Sequence, residues 1–394
     1  MLEELIDIRN GAKSRSSFSS AEMQARLGRA RALLEAHELD ALLLSQPESI
    51  NYFSQLSPLL QEPLAATLLL ITPELSATLC PCSEGGNAYR SSYGSSYLYR
   101  DLPHLLSSLR ALLPAVRRLG VEAWSLGQGL AQAMSQALPS LKETVDVGGR
   151  LAYLRLHKSP EELALLAQAD RVAQVGFAAA RAALLAPQPE YQVAEQARAA
   201  MLTETARCLP HLTLKDSYAL FQSGPNTDGR HTRPSSRHFV PGEVLNLTCC
   251  PVLAGYGFEV SRTLFAHYCD DDQARCWEIN CAVQQQALSL ICPGLAVAEL
   301  GQALDAIYQR CGLGERRIEP YLPRLQLLMP SLPQTGPVLL EAGMVLTLTT
   351  ALLLPEGLPG AGGYRETSQI LVTADGACRL DSQPIGPASQ ILRP

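Results

Sequence analysis

Near the middle of the chain, Ser159-Pro160-Glu161-Glu162 marks where one folding pattern gives way to another. Ser159 is an N-cap residue, Pro160 suits the first helical position, and Glu162 completes a capping box. Leu163, Leu166, Ala169, Val172 and Ala173 then recur at helical spacing and predict a long helix with one apolar face. Upstream, Ser19-Ser20-Ala21-Glu22 has the same capping spacing. Met23, Leu27, Ala30, Leu33 and Leu34 predict a helix to about His37, and short apolar runs at 41–44 and 66–71 predict buried strands. Helices and strands alternate to about residue 150, the pattern of a small α/β domain. Residues 151–157 read as a joining strand or linker. Downstream of residue 240 the period changes to two. Val244, Asn246 and Thr248 predict one strand, and 256–265 a second after the turn at Ala254-Gly255. Helices are expected at 283–290 and 297–308, then strands at 345–350 and 369–372. Antiparallel strands flanked by helices make an α+β domain. A chain of 394 residues has room for two cores, and the boundaries predicted are 1–155 and 156–394.

Charge and composition exclude two partner classes. A net charge of −6 gives no basic surface for nucleic acid. No apolar run approaches the roughly 20 residues needed to span a bilayer. The start, Met1-Leu2-Glu3-Glu4, lacks a secretory leader's basic and apolar regions, so the cytosol is the expected compartment. Of the 11 cysteines, Cys80-Pro-Cys82 and Cys249-Cys250 stand out. Without a second pair at zinc-finger spacing, both are read as small buried hydrophobes in strands.

Three stretches carry a specific resemblance. They are Phe221-Gln-Ser-Gly-Pro-Asn-Thr-Asp-Gly-Arg-His231, Ala254-Gly-Tyr-Gly-Phe-Glu-Val-Ser-Arg-Thr-Leu-Phe265 and Leu354-Pro-Glu-Gly-Leu-Pro-Gly-Ala-Gly-Gly-Tyr-Arg-Glu366. Weaker echoes occur at Ile8-Arg-Asn-Gly-Ala-Lys13, Ile50-Asn-Tyr52 and His157-Lys-Ser-Pro-Glu-Glu162. Together, and in this order, they resemble the creatinase and aminopeptidase P superfamily, creatinase most of all. The resemblance implies a creatinase-type N-terminal α/β domain followed by a C-terminal pita-bread domain. It also implies a homodimer in which the N-terminal domain of one copy lies near the other copy's site.

The resemblance also says where chemistry should sit, and most of those residues are changed. The superfamily's metallopeptidases bind two metal ions through two Asp, one His and two Glu. The Asp positions fall on Thr248 and Glu259, the Glu positions on Thr349 and Thr367, and the His near Pro323. Hard divalent ions need several carboxylates or imidazoles, so no metal and no other cofactor is expected. Creatinase works without metal, and its acid/base histidine matches His231. Its guanidinium-binding glutamates fall on Ser261 and Thr349. Its carboxylate-gripping arginine falls near Glu62 or Pro63, and a carboxylate at Glu62 would repel that group. Neither creatine hydrolysis nor metallopeptidase activity is expected.

The candidate catalytic pair is therefore His231 with Glu259, a carboxylate two residues before Ser261 and on the same face of an extended strand. Tyr256, Ser261, Thr349, Thr367, Arg365 and Glu62 are the candidate substrate-binding residues, with Thr347 adding a further hydroxyl. Arg365 and Glu366 are expected to pair with each other or with backbone. The run at 360–363 lacks the Lys-Ser/Thr and the helix of a phosphate loop and reads as a tight turn. Two functions fit. One is a metal-independent enzyme acting on a small molecule, by C–N hydrolysis, elimination or cyclisation, in a biosynthetic or catabolic pathway. The other is a pseudoenzyme, a dimeric binding or scaffold protein. A peptide-binding module of the histone-chaperone kind is disfavoured, because no acidic tail or basic tract accompanies the domain.

Overall fold

The computed structural model describes residues 6–9, 16–57, 66–186, 188–214, 217–229, 232–317, 324–325 and 338–392. Two units separate, Met1–Arg155 and Leu156–Pro394. The first alternates β1 (Ile6–Arg9), α1 (Ser20–Ala36), β2 (Ala41–Leu44), α2 (Pro47–Ser54), β3 (Leu68–Ile71), β4 (Ser76–Pro81), α3 (Gly85–Ser91), β5 (Ser95–Tyr99), α4 (Leu102–Leu112), β6 (Arg118–Val121), α5 (Gln128–Ala137), β7 (Glu143–Asp146) and α6 (Gly148–Leu154). Among the described residues its strands form one sheet in the order β1-β5-β4-β3-β2-β6-β7. The unbroken apolar runs of β2 and β3 are explained by position. Both strands are central and covered on both faces, so every side chain from Ala41 to Leu44 and from Leu68 to Ile71 is fully buried. Leu42, Leu44, Leu69 and Ile71 join one core, and Ala41, Leu43, Leu68 and Leu70 join the other. The edge strand β7 is mostly exposed and correspondingly polar. Ser19 caps α1 as its spacing predicts, accepting from the Glu22 backbone N–H at 3.1 Å, while the Glu22 carboxylate turns to Arg26 Nε at 2.7 Å. The expected strand or linker at 151–157 is instead helical as far as Leu154. Leu151 is fully buried and its amide closes a helical turn on Val147.

The second unit opens with α7 (Pro160–Ala183), whose Ser159–Glu162 capping box is present in both directions. Then come α8 (Glu190–Cys208), β8 (Tyr218–Ser223), β9 (Val244–Cys250), β10 (Val252–Leu253), β11 (Tyr256–Gly257), β12 (Val260–Ala266), α9 (Asp271–Leu290), α10 (Val297–Arg310), β13 (Arg324–Leu325), β14 (Val345–Leu354), β15 (Gly362–Thr373), β16 (Gly376–Arg379), α11 (Pro387–Gln390) and β17 (Ile391–Leu392). The expected strand at 256–265 is interrupted at Phe258 and Glu259, which separate β11 from β12. Helix α9 begins twelve residues before its expected start, because Asp270 and Gln273 form a capping box that was not read. The main sheet runs β13-β14-β15-β12-β9-β8, with β16 on β15 and β17 on β12.

Alternation sorts this sheet into two chemistries. Leu346, Leu348, Leu352 and Leu354 of β14, and Tyr364, Ile370 and Val372 of β15, pack with Trp277, Val283 and Ala287 of α9 and with Leu300, Leu304 and Tyr308 of α10. Burying each such aliphatic side chain contributes about 1.5–3 kcal/mol. The intervening residues are Thr347, Thr349, Arg365, Thr367 and Gln369. They point the other way, onto a face whose polarity no core requirement explains.

Candidate active site on the polar face of the sheet

Strand register collects the candidate residues. Leu220 of β8 lies opposite Thr248 of β9, Thr248 opposite Ser261 of β12, Ser261 opposite Thr367 of β15, and Thr367 opposite Thr349 of β14. Four hydroxyls thus stand in one row across four strands. Thr248 Oγ1 and Ser261 Oγ are 2.7 Å apart, and Thr349 Oγ1 and Thr367 Oγ1 are 3.0 Å apart. Thr248, Ser261 and Thr367 are buried. Each hydroxyl has one proton and two lone pairs, so each pair spends one proton internally and keeps one to offer outward. One step along the strands, Thr347 Oγ1 donates to Gln369 Oε1 at 3.0 Å, and Gln369 Nε2 donates to the Glu259 carbonyl at 2.8 Å.

Glu259 sits in the break before β12. Its carboxylate accepts from Tyr218 Oη at 3.1 Å. Burial first, then the neighbouring Cys250 and Glu259, push the Tyr218 phenol far above its ordinary range, so it stays protonated and can donate to Glu259. Burial likewise pushes Cys249 and Cys250 up, keeping both as thiols and in line with their reading as small hydrophobes. Tyr218 was missed in the sequence. Its signal was the alternation Tyr218, Leu220, Gln222 leading into the His231 stretch.

His231 and Glu62 lie outside the described residues, as does Pro323. The chain on either side of His231 is held by named contacts. Gln222 Nε2 donates to the carbonyls of Gly229 at 3.0 Å and Thr232 at 3.1 Å. Glu190, fully buried at the start of α8, accepts five hydrogen bonds. Ser223 N and Oγ reach Oε1 at 2.8 and 2.6 Å; Asn226 Nδ2, Ser235 N and Ser235 Oγ reach Oε2 at 2.8, 2.9 and 2.8 Å. Burial works to raise its pKa, but these donors outweigh burial and hold it below the usual carboxylate value. The segment at 224–228 crosses the start of β15, where Gly363 N donates to Thr227 Oγ1 at 2.8 Å. A Cβ on Gly363 would stand 2.0 Å from the Thr227 carbonyl oxygen, so only glycine fits there. Asn246 donates to Gly363 O at 3.0 Å, and its buried Oδ1 has no partner among the described residues.

Two expectations are corrected. Tyr256 does not join the hydroxyl row. It is buried, and its hydroxyl donates to Glu162 Oε1 at 2.7 Å in the first turn of α7. Of the partners expected for Arg365 and Glu366, each other or backbone, the first does not occur, because consecutive strand residues point to opposite faces, and the second does for Glu366. Glu366 is fully buried on the helix side. There it accepts from Trp277 Nε1 and from the Thr263 backbone N–H, both at 3.1 Å, and lies 3.7 Å from Arg262 Nε. Arg262 is also bonded to Asp381. Burial, only partly offset by Arg262 and the hydrogen-bond donors, pushes Glu366 up to about 7.

Residues 164–374 match the model of metallopeptidase family M24, and residues 26–157 match the creatinase/prolidase N-terminal domain. The chain belongs to family M24. It is 32% identical to a creatinase from Bacillus sp. (strain B-0618) across 97% of this chain and 96% of that one. It is 26% identical to an Xaa-Pro dipeptidase from Lactobacillus helveticus across 86% and 91%. The prolidase structure from Pyrococcus horikoshii OT3 shares the fold with a TM-score of 0.76 at 21% identity, over 92% of this chain and 98% of that one.

The family name raises the question of whether the residues at these positions fit a metal. Of the four carboxylate positions that the resemblance implies, three hold threonines of the hydroxyl row; Thr349 and Thr367 bond each other, and Thr248 bonds Ser261. Glu259, the fourth, accepts from Tyr218. Among the described residues no group of three or more His, Cys, Asp or Glu could hold a metal ion. A divalent cation needs anionic or imidazole donors, and this set does not fit one.

Proposed function

We propose that this chain is a creatinase-like enzyme that acts on a small molecule without metal. The row Thr248, Ser261, Thr367 and Thr349 carries the reading. A buried cation placed there would lose its hydration and meet a single carboxylate, Glu259, already hydrogen-bonded to Tyr218, whereas a carbonyl, amide or hydroxyl would be met by hydroxyl donors and acceptors. The row therefore suits an uncharged polar group, with Arg365 and Glu259 on the same face. His231 moves the proton, as its match to the family's acid/base histidine implies, and Glu259 assists it. In a C–N hydrolysis, His231 would take a proton from the attacking water and return it to the leaving nitrogen. An elimination or cyclisation would use the same transfers. The working form is a homodimer.

The test is a panel of neutral amides, ureas and lactams, with creatine and an Xaa-Pro dipeptide as controls. The wild type should convert at least one neutral compound in the presence of a chelator, and His231→Ala should reduce turnover by at least about 10²-fold. Manganese-dependent cleavage of the dipeptide would sink the proposal. A second reading, a pseudoenzyme used for binding or scaffolding, draws on the bonding of the hydroxyls within the row, Thr248 with Ser261 and Thr349 with Thr367. It predicts no turnover across the panel and an unchanged dimer in His231→Ala.

A further inference from the structure

The polar face of the second unit does not end at its row of hydroxyls. Between α8 and β8 lies a cavity of about 480 Å³, within the range of small-molecule sites. Ala194 of α8, Leu220 of β8 and Pro234 line it with apolar surface, Tyr218 adds its ring, and Arg198 and Arg233 supply charge. Strand β8 stands at the end of the sheet, so no further described strand covers this margin.

The charges at the rim do not balance. Arg198 is committed: its Nε donates to the Ser217 carbonyl at 3.1 Å, and its Nη1 lies 3.3 Å from Glu195 Oε2, a lining carboxylate. The Tyr218 hydroxyl is committed to Glu259. Arg233 is exposed and, among the described residues, makes no ion pair or hydrogen bond. An apolar hollow with one uncommitted guanidinium at its mouth matches an amphiphilic anion. Desolvating the body of such a ligand favours binding, and a guanidinium offers two parallel N–H donors to a carboxylate.

We propose that this pocket binds a small organic acid, its apolar body against Ala194, Leu220 and Pro234 and its carboxylate on Arg233. The site holds whether or not His231 carries out chemistry, since none of these residues belongs to the proposed catalytic pair. Phenylacetate is a suitable probe, with 2-phenylethanol and phenethylamine as neutral and cationic counterparts of like shape. Binding to the full-length protein is measured by saturation-transfer NMR and titration calorimetry. Phenylacetate should bind about tenfold tighter than the alcohol, the worth of one charge-assisted contact, and the amine should bind weakest. Arg233→Gln changes an exposed side chain that makes no ion pair or hydrogen bond among the described residues, so the fold survives, and it should bring acid and alcohol to equal affinity. Equal affinities in the wild type, an acid affinity unmoved by Arg233→Gln, or no detectable binding of phenylacetate would each overturn the proposal.

Discussion

Thr248 and Ser261 share a single buried hydrogen bond at 2.7 Å, so removing one hydroxyl orphans the other. Thr248→Val should cost about 1–2 kcal/mol, read as a lower urea midpoint with an unchanged slope. Glu190 is a larger case, because five donors converge on its carboxylate. Glu190→Gln would turn an amide N–H₂ toward those donors and should cost about 2–4 kcal/mol. Its folded pKa lies below the unfolded value near 4.5. The stability it contributes is therefore complete above pH 4.5 and is lost as pH falls below that. The variant should lack this acid-limb loss in urea titrations between pH 3 and 6. The sequence showed the hydroxyls at Ser261, Thr349 and Thr367 through the motif positions they occupy. It did not show Tyr218 or Glu190. Their roles depend on partners 33 to 45 residues away in the chain, Glu259 for Tyr218 and Ser223, Asn226 and Ser235 for Glu190.

Strand β15 shows why alternation predicts so much of the second unit. Its twelve residues place Glu366 against α9 and Arg365 and Thr367 on the opposite face. Gly363 tolerates the crossing segment at 224–228 only because it lacks a Cβ. Gly363→Ala must push that segment off the strand, and a loss of about 2–4 kcal/mol is expected by thermal or urea denaturation. Glu366 gives the opposite pH sign to Glu190. Its folded pKa, about 7, lies above the unfolded value. Folding therefore favours its protonated form, and stability falls as pH rises from about 4.5 to about 7. Glu366→Gln should flatten that decline in urea midpoints measured across the window. Sequence alone offered the two residues each other or backbone as partners; the fold gives Glu366 a backbone donor and turns Arg365 to the other face. The helix at 148–154 was missed for a related reason. Seven residues are too few to establish a period, and Val147 and Leu151 serve a strand as well as a helix until the fold chooses.

At the scale of the whole molecule, the architecture was legible because periodicity, capping and motif order agree along the chain, and the family match spans both units. The chemistry was legible only as a set of substitutions. What the fold adds is that Thr248, Ser261, Thr367 and Thr349 meet in one row and bond in two pairs, a hydroxyl surface beside which Glu259 is the remaining carboxylate of the positions the resemblance implies. The direct test of that claim is calorimetric titration of the chelator-treated protein with Mn²⁺, Co²⁺ and Zn²⁺, alongside elemental analysis of the protein as purified. The account predicts less than one tenth of an equivalent of metal per chain as purified (about 0.1 or below) and no saturable binding below about 1 mM, a weak-site limit of roughly 4 kcal/mol. One or two equivalents bound at micromolar concentration, and lost in Thr349→Ala, would contradict it.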